Sequence, residues 1–242
     1  MKNITGSPVE HGDFFDRPDD IARLQRELGN NANILLTAPR RVGKTSLVLR
    51  LCELEREAAR TASFINVEGC KDEFSFAEKL VDGLKESGLH PQLLTRIAMS
   101  FHNLRKATGN MKFGAAGIKM DMGSIGDSEF GTLARALESI FKKIEAGDKS
   151  VLIAIDEMPE LLLAMARQEH GAERVDQLLH WLRELRQTYR VNVRWIFLGS
   201  IGLDSFVDNR NLRKTINDLS LATLNALTAG EANEFLVELG ND

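Results

Sequence analysis

Gly43-Lys44-Thr45 brings together the ingredients of an anion site: a backbone without a Cβ, a long-armed cation and a hydroxyl. The triplet closes a loop that follows an apolar run, Ile34 to Leu36, and precedes Leu47, Val48, Leu51 and Leu54 at helical spacing. In the order strand, loop, helix, these residue types make a phosphate-binding loop. Successive backbone N–H groups and the positive end of the helix surround the anion. Gly43 lets the backbone approach, Lys44 reaches the terminal phosphates, and Thr45 can hold a magnesium ion. Ala38, Pro39, Arg40, Arg41, Val42 and Ser46 complete the candidate loop. The blander alternative is a strand-to-helix turn that happens to contain Gly-Lys-Thr. Where the usual pattern opens with glycine this chain has Ala38, which costs little if the local φ is negative.

A second group of candidates lies far along the chain. Val151-Leu152-Ile153-Ala154-Ile155 is a continuous apolar run ending in Asp156-Glu157, the look of a strand buried on both faces of a parallel sheet. Two acids there are expensive unless they serve a charge. Beside a phosphate loop, Asp156 would hold the magnesium, directly or through water, and Glu157 would polarise the attacking water. The alternative is an acidic helix N-terminus favoured by the dipole, with Pro159 in its first turn. Ser200, at the tip of the apolar strand that begins at Val193, is placed either to touch the terminal phosphate or the attacking water, or to cap the helix that follows. Phe14 and Phe15 are core anchors or a cover over a nucleotide base.

The elements that must position these groups follow from periodicity. A helical pattern with Ile21 and Leu24 ends near Gly29, and Ser63 to Val67 reads as a second strand. Phe74, Phe76, Leu80, Val81 and Leu84 mark a helix ended by Gly88 and Pro91, and another helical stretch covers roughly 91 to 106. Met111-Lys112-Phe113 and Ile118 to Met122 alternate with period two around a glycine-rich turn, which predicts a hairpin over 111–123. Phe130, Leu133, Leu137, Ile140, Phe141 and Ile144 form an amphipathic helix broken by Gly147. Val175, Leu178, Leu179, Leu182 and Leu185 make a further stripe; Arg183, Arg186 and Arg190 read as its solvated face, with a partner or nucleic-acid contact as the minority reading. Leu219 to Leu221 is a last short strand, and Thr228 with Glu231 is a capping box that opens a final helix. Residues 1–12 form a polar lead-in segment, 13–228 one core, and 229–242 the first helix of a truncated or missing lid.

Composition bounds the rest. At 242 residues the chain fits one large domain, or one with a small appendage. Its 43% hydrophobic and 27% charged content is that of an ordinary globular protein. A net charge of −4 argues against a broad nucleic-acid surface. Cys52 and Cys70 show neither metal spacing nor a disulfide framework, which suits a reducing cytosol. Without a signal pattern or a membrane-length apolar run, the expected location is cytoplasmic.

Taken in this order, the motifs resemble the ATPase core of the AAA+/STAND branch of P-loop proteins, and above all the archaeal-type ATPase family. The resemblance is carried by Phe15-Asp16-Arg17, by Ala38 through Leu47, by Phe64 to Glu68, by Ile155-Asp156-Glu157, by Gly199-Ser200-Ile201-Gly202-Leu203 and by Leu224 through Ala232. It implies an α/β/α sandwich around a mainly parallel five-stranded sheet of order 5-1-4-3-2, with ATP at the C-terminal strand ends. It also implies Lys44 and Thr45 on phosphate and magnesium, Asp156 on magnesium, Glu157 as catalytic base, Ser200 as polar sensor, and Phe15 and Arg17 near the adenine. Two departures stand out: Ala38 opens the loop, and Ala226 replaces the proline of a Leu-x-Pro-Leu segment that approaches adenine in related proteins. The family continues into a helical lid and usually a winged-helix module. The implied activity is that of a magnesium-dependent ATP-hydrolysing switch acting on a protein partner or on further copies of itself. Arg210 and Arg213, by their place after the sensor strand, are the candidate arginine donors. Alternatives are a nucleotide-binding scaffold with slow or lost turnover, and a DNA-associated ATPase that reaches nucleic acid only through regions outside this chain.

Overall fold

Side chains alternate along an extended strand, so a strand that is apolar at every position must be covered on both faces. In the computed structural model, which describes residue 15 and residues 17–99, 129–200 and 203–240, this condition is met by one five-stranded sheet. Its strands are β1 (Asn33–Ala38), β2 (Thr61–Asn66), β3 (Val151–Asp156), β4 (Val193–Ser200) and β5 (Leu219–Thr223). Every pairing is parallel and the order is β2-β3-β4-β1-β5, the expected 5-1-4-3-2 read from the other edge. Val151, Ile153 and Ile155 of β3, with Trp195 and Phe197 of β4, face one core; Leu152, Ala154, Ile196 and Leu198 face the other.

Helices fill both layers. On one face α1 (Pro18–Gly29) and α2 (Lys44–Glu57) bury Ile21, Leu24, Leu47, Val48 and Leu51. On the other lie α3 (Glu73–Glu86), α4 (helical over 91–99), α5 (Glu129–Glu145), α6 (Met158–Ala166), α7 (Gly171–Thr188) and α8 (Leu203–Asp208). The larger core is centred on the fully buried Trp195, whose ring neighbours are Phe197 and Phe141, with Tyr189 stacked on the latter. Sequence signals end the helices where they should: Asp72 and Ser75 form a capping box for α3, and Thr228 and Glu231 do the same for α9 (Ala229–Gly240). That last helix buries no residue, and Leu236 and Val237 stand 60% and 63% exposed. Phe15 meets it edge to face at Phe235, with centroids 5.4 Å apart. Cys52 and Cys70 are buried free thiols, and among the described residues no helix is long and apolar enough to cross a membrane. The lead-in over 1–12, the hairpin over 111–123 and the end of the helical stretch toward 106 lie outside the described residues.

One expectation is corrected. Arg186 does not belong to a solvated face: it is 3% exposed, donates from Nε and Nη2 to the Asp218 carboxylate at 2.8 Å each, and donates to the Thr215 carbonyl at 2.6 Å. Its guanidinium also lies over the Phe197 ring, 5.3 Å from the centroid. The residue therefore pins the 3-10 turn Arg213–Thr215, ahead of β5, to α7. Arg190 is exposed, as expected, and Arg183 is half-buried. Removing one member of a buried pair strands the other, so Arg186→Ala should destabilise the fold by roughly 3 kcal/mol in urea titrations followed by tryptophan fluorescence.

Candidate functional site

The strand order sets the site. β1 and β3 flank β4, so the loop leaving β1 and the acids ending β3 emerge at the same edge, on either side of the end of β4. Ala38 is the last residue of β1, is buried, and lies opposite Ser200 in the register. Its φ is not among the positive ones, so alanine meets no backbone penalty where the usual pattern has glycine. Gly43 is the position that requires glycine: its φ is +88°, in the left-handed region, immediately before α2 begins at Lys44. Pro39, Arg40 and Arg41 are exposed, Val42 is half-buried, and Ser46 is buried in the first turn of α2. Arg41 also has a positive φ, 67°, and Arg40 lies 3.5 Å from Glu160 at the head of α6.

The loop and the acidic pair meet. Thr45 Oγ1 donates to Asp156 Oδ2 at 2.7 Å, and Asp156 Oδ1 accepts the Glu157 N–H at 2.9 Å. Both oxygens of a carboxylate only 2% exposed are thereby fixed. Lys44 is 7% exposed in the same corner and acts electrostatically on Glu157. The Glu157 backbone is left-handed, with φ 59° and ψ 34°, an uncommon state for a residue with a Cβ. Although Glu157 stands at the N-cap of α6, its side chain makes no capping bond, and Oε2 is buried with no hydrogen-bond partner. Burial pushes its carboxyl above the ordinary value, the charge of Asp156 adds to this, and Lys44 pulls it part of the way back.

Two further residues shape this corner and carry weaker signals in the sequence. A Cβ on Gly199 of β4 would come within 2.7 Å of the Pro159 Cγ, so glycine allows the start of α6 to lie against the strand. A glycine inside an apolar strand is the signal for such a close approach. Arg17 sends Nη2 to the Val42 carbonyl at 3.1 Å and Nη1 to the Asn225 carbonyl at 2.9 Å, with Asp20 at 3.4 Å. It thus touches the loop and the segment that leads from β5 to α9. The arginines after β4 are engaged locally: Arg213 bonds Asp208 at 2.6 Å and Arg210 lies 4.1 Å over the Phe206 ring.

The donor set suits magnesium as substrate phosphates present it. Among the described residues no group of three or more His, Cys, Asp or Glu side chains is arranged to hold a metal. A hydroxyl and one ordered carboxylate, Thr45 and Asp156, are what a cation needs when phosphate and water complete its shell.

No family model and no curated protein sequence matches the chain. Solved structures do. A Walker-type ATPase of Pyrococcus abyssi superposes with a TM-score of 0.60 at 17% identity, covering 97% of this chain and 60% of its own. The Orc2 protein of Aeropyrum pernix, solved with ADPNP and ADP, gives 0.58 at 14% identity, covering 98% of this chain and 54% of its own. The Orc1 protein of Aeropyrum pernix in complex with DNA gives 0.51 at 15% identity, covering 93% and 49%. The chain has the α/β fold of these structures and spans 49% to 60% of their lengths.

Glu157 carries both an unfavourable backbone conformation and a desolvated charge. A carboxyl whose pKa is raised by folding opposes stability above that pKa and stops doing so once it is protonated. Glu157→Gln should therefore raise the thermal midpoint at neutral pH, and the gain should shrink as the pH falls toward the ordinary carboxylate range, in paired scanning-calorimetry series.

Proposed function

We propose that this chain binds ATP and hydrolyses it with magnesium, as a switch of the AAA+/STAND kind. The observation that carries the reading is the 2.7 Å hydrogen bond from Thr45 to Asp156, beside the partnerless Glu157 carboxylate oxygen. A hydroxyl from the loop and a carboxylate from a distant strand meet where a metal-bound triphosphate would need both. The loop from Ala38 to Ser46 receives the phosphates through its backbone N–H groups, which Pro39 lacks, and Lys44 neutralises charge on the terminal ones. A magnesium ion held by Thr45 and Asp156 supplies further charge neutralisation on the phosphoryl oxygens.

Glu157 orients a water and takes its proton as the water oxygen bonds to the terminal phosphorus. The bond from that phosphorus to the bridging oxygen breaks, and ADP leaves with the electron pair. Desolvation raises the basicity of the Glu157 carboxylate, which favours proton acceptance near neutral pH. Ser200 is the polar sensor at the end of β4, and Phe15 serves the adenine side. The helix α9 is the first helix of a lid, and a protein partner or a second copy supplies an arginine in trans. With a net charge of −4, any nucleic-acid contact would have to be made through regions outside these residues. The proposed location is cytoplasmic.

Phosphate release measured with magnesium and ATP should be lost in Lys44→Ala together with binding, whereas Glu157→Gln should retain binding while turnover falls by about a hundredfold or more. A parent protein that binds ATP but shows no turnover, alone or with cell extract, would favour a scaffold. Turnover requires ionised Glu157, so the rate should fall as the pH drops through a value above that of an ordinary glutamate. An acid limb at the ordinary carboxylate position would remove Glu157 from the role of base.

A further inference from the structure

The phosphate loop has a weak point at Gly43. Its φ is +88° and a Cβ there would meet nothing within 4 Å, so on the Gly43 side no side chain steadies the peptide that precedes it, while on the other side Val42 packs against the core. That peptide, Val42–Gly43, is trans, so its carbonyl oxygen and its N–H point in opposite directions. Whatever holds the carbonyl therefore sets the direction of the N–H. Here the holder is Arg17, through Nη2 at 3.1 Å. The same guanidinium reaches the Asn225 carbonyl through Nη1 at 2.9 Å and is itself steadied by Asp20 at 3.4 Å. Its side chain is 11% exposed and its bond to Val42 is partly buried, which limits competition from solvent there, while the Asn225 carbonyl is exposed. The Asn225 anchor is firm, because Arg23 donates to the Thr223 carbonyl at 2.9 Å and the Leu224 N–H donates to Thr37 of β1 at 3.0 Å.

We propose that Arg17 is a positioning residue of the phosphate loop: by gripping two backbone carbonyls in one rigid fork, it fixes the Val42–Gly43 peptide so that the Gly43 N–H is preset for a phosphate. This rests on the nucleotide reading above and gives Arg17 a task toward the phosphates, apart from any contact with the base. The planar fork explains the residue type. Lysine offers one compact ammonium on a flexible stem and cannot hold two carbonyls at a fixed spacing.

The test is calorimetric titration of the full chain with magnesium tripolyphosphate, which has no base, and in parallel with magnesium ATP. Arg17→Ala should weaken both by the same factor, about tenfold, and Arg17→Lys should restore part of each. A loss confined to ATP would make Arg17 a base contact and overturn the proposal, as would unchanged affinity for tripolyphosphate in both variants. Should Arg17→Ala fail to fold, Arg17→Lys decides alone, with a smaller loss shared equally by the two ligands. A parent protein that binds neither ligand overturns the nucleotide reading and this inference with it, whereas parent binding with tripolyphosphate affinity indifferent to Arg17 overturns only the inference.

Discussion

Parallel pairing is the constraint on which the rest depends. When all strands run the same way, each carboxyl end lies on one edge, and the connections must cross over the faces as helices. In the order β2-β3-β4-β1-β5, the edge between β1 and β3 is occupied only by the end of β4. A loop and an acidic pair far apart in sequence are thereby brought within hydrogen-bond distance at Thr45 and Asp156. The ligand crevice of an open α/β sheet lies at such a place, where connections leave in opposite directions. The two apolar layers serve that edge by holding the three strand ends in register.

The unfavourable terms gather at one residue. Glu157 has left-handed backbone, a buried oxygen without a partner, and a like charge next to it in the chain. None of these helps folding, and the surrounding structure has to hold them in place. Asp156, its neighbour, shows the contrast: buried more deeply, it has both oxygens engaged. Two adjacent carboxylates are thus given different environments, one with both oxygens engaged and one with a buried oxygen left unpartnered.

Much of this was legible in the amino-acid sequence, and the gaps have physical causes. Strands buried on both faces announce themselves as apolar runs, so β1, β3 and β4 were foreseeable from their residues, whereas their order was implied by the family resemblance. Gly43 was singled out for the close approach of its backbone, and its left-handed conformation is the structure's addition. Arg186 was misread because its type suggested solvent. Its position, four residues after Leu182, puts it on the apolar stripe of α7, and its partner Asp218 lies 32 residues on. Arg17 was singled out by resemblance, and its partners, the carbonyls of Val42 and Asn225, were not foreseeable. Backbone acceptors have no residue signature, so no pattern of side-chain types reveals them. The contact between Gly199 and Pro159 was hidden for a related reason: a glycine shows that something approaches closely without saying what.

The attachment of α9 has a thermodynamic consequence. It buries no side chain of its own, its capping box closes on its own first turn, and Phe235 meets Phe15 edge to face. Detaching it exposes little apolar surface, so its opening carries a small heat capacity change and scarcely involves the two cores. Its amide protons should then exchange with solvent by a subglobal route, with protection set by helix–coil equilibrium in the last segment rather than by cooperative unfolding of the sheet.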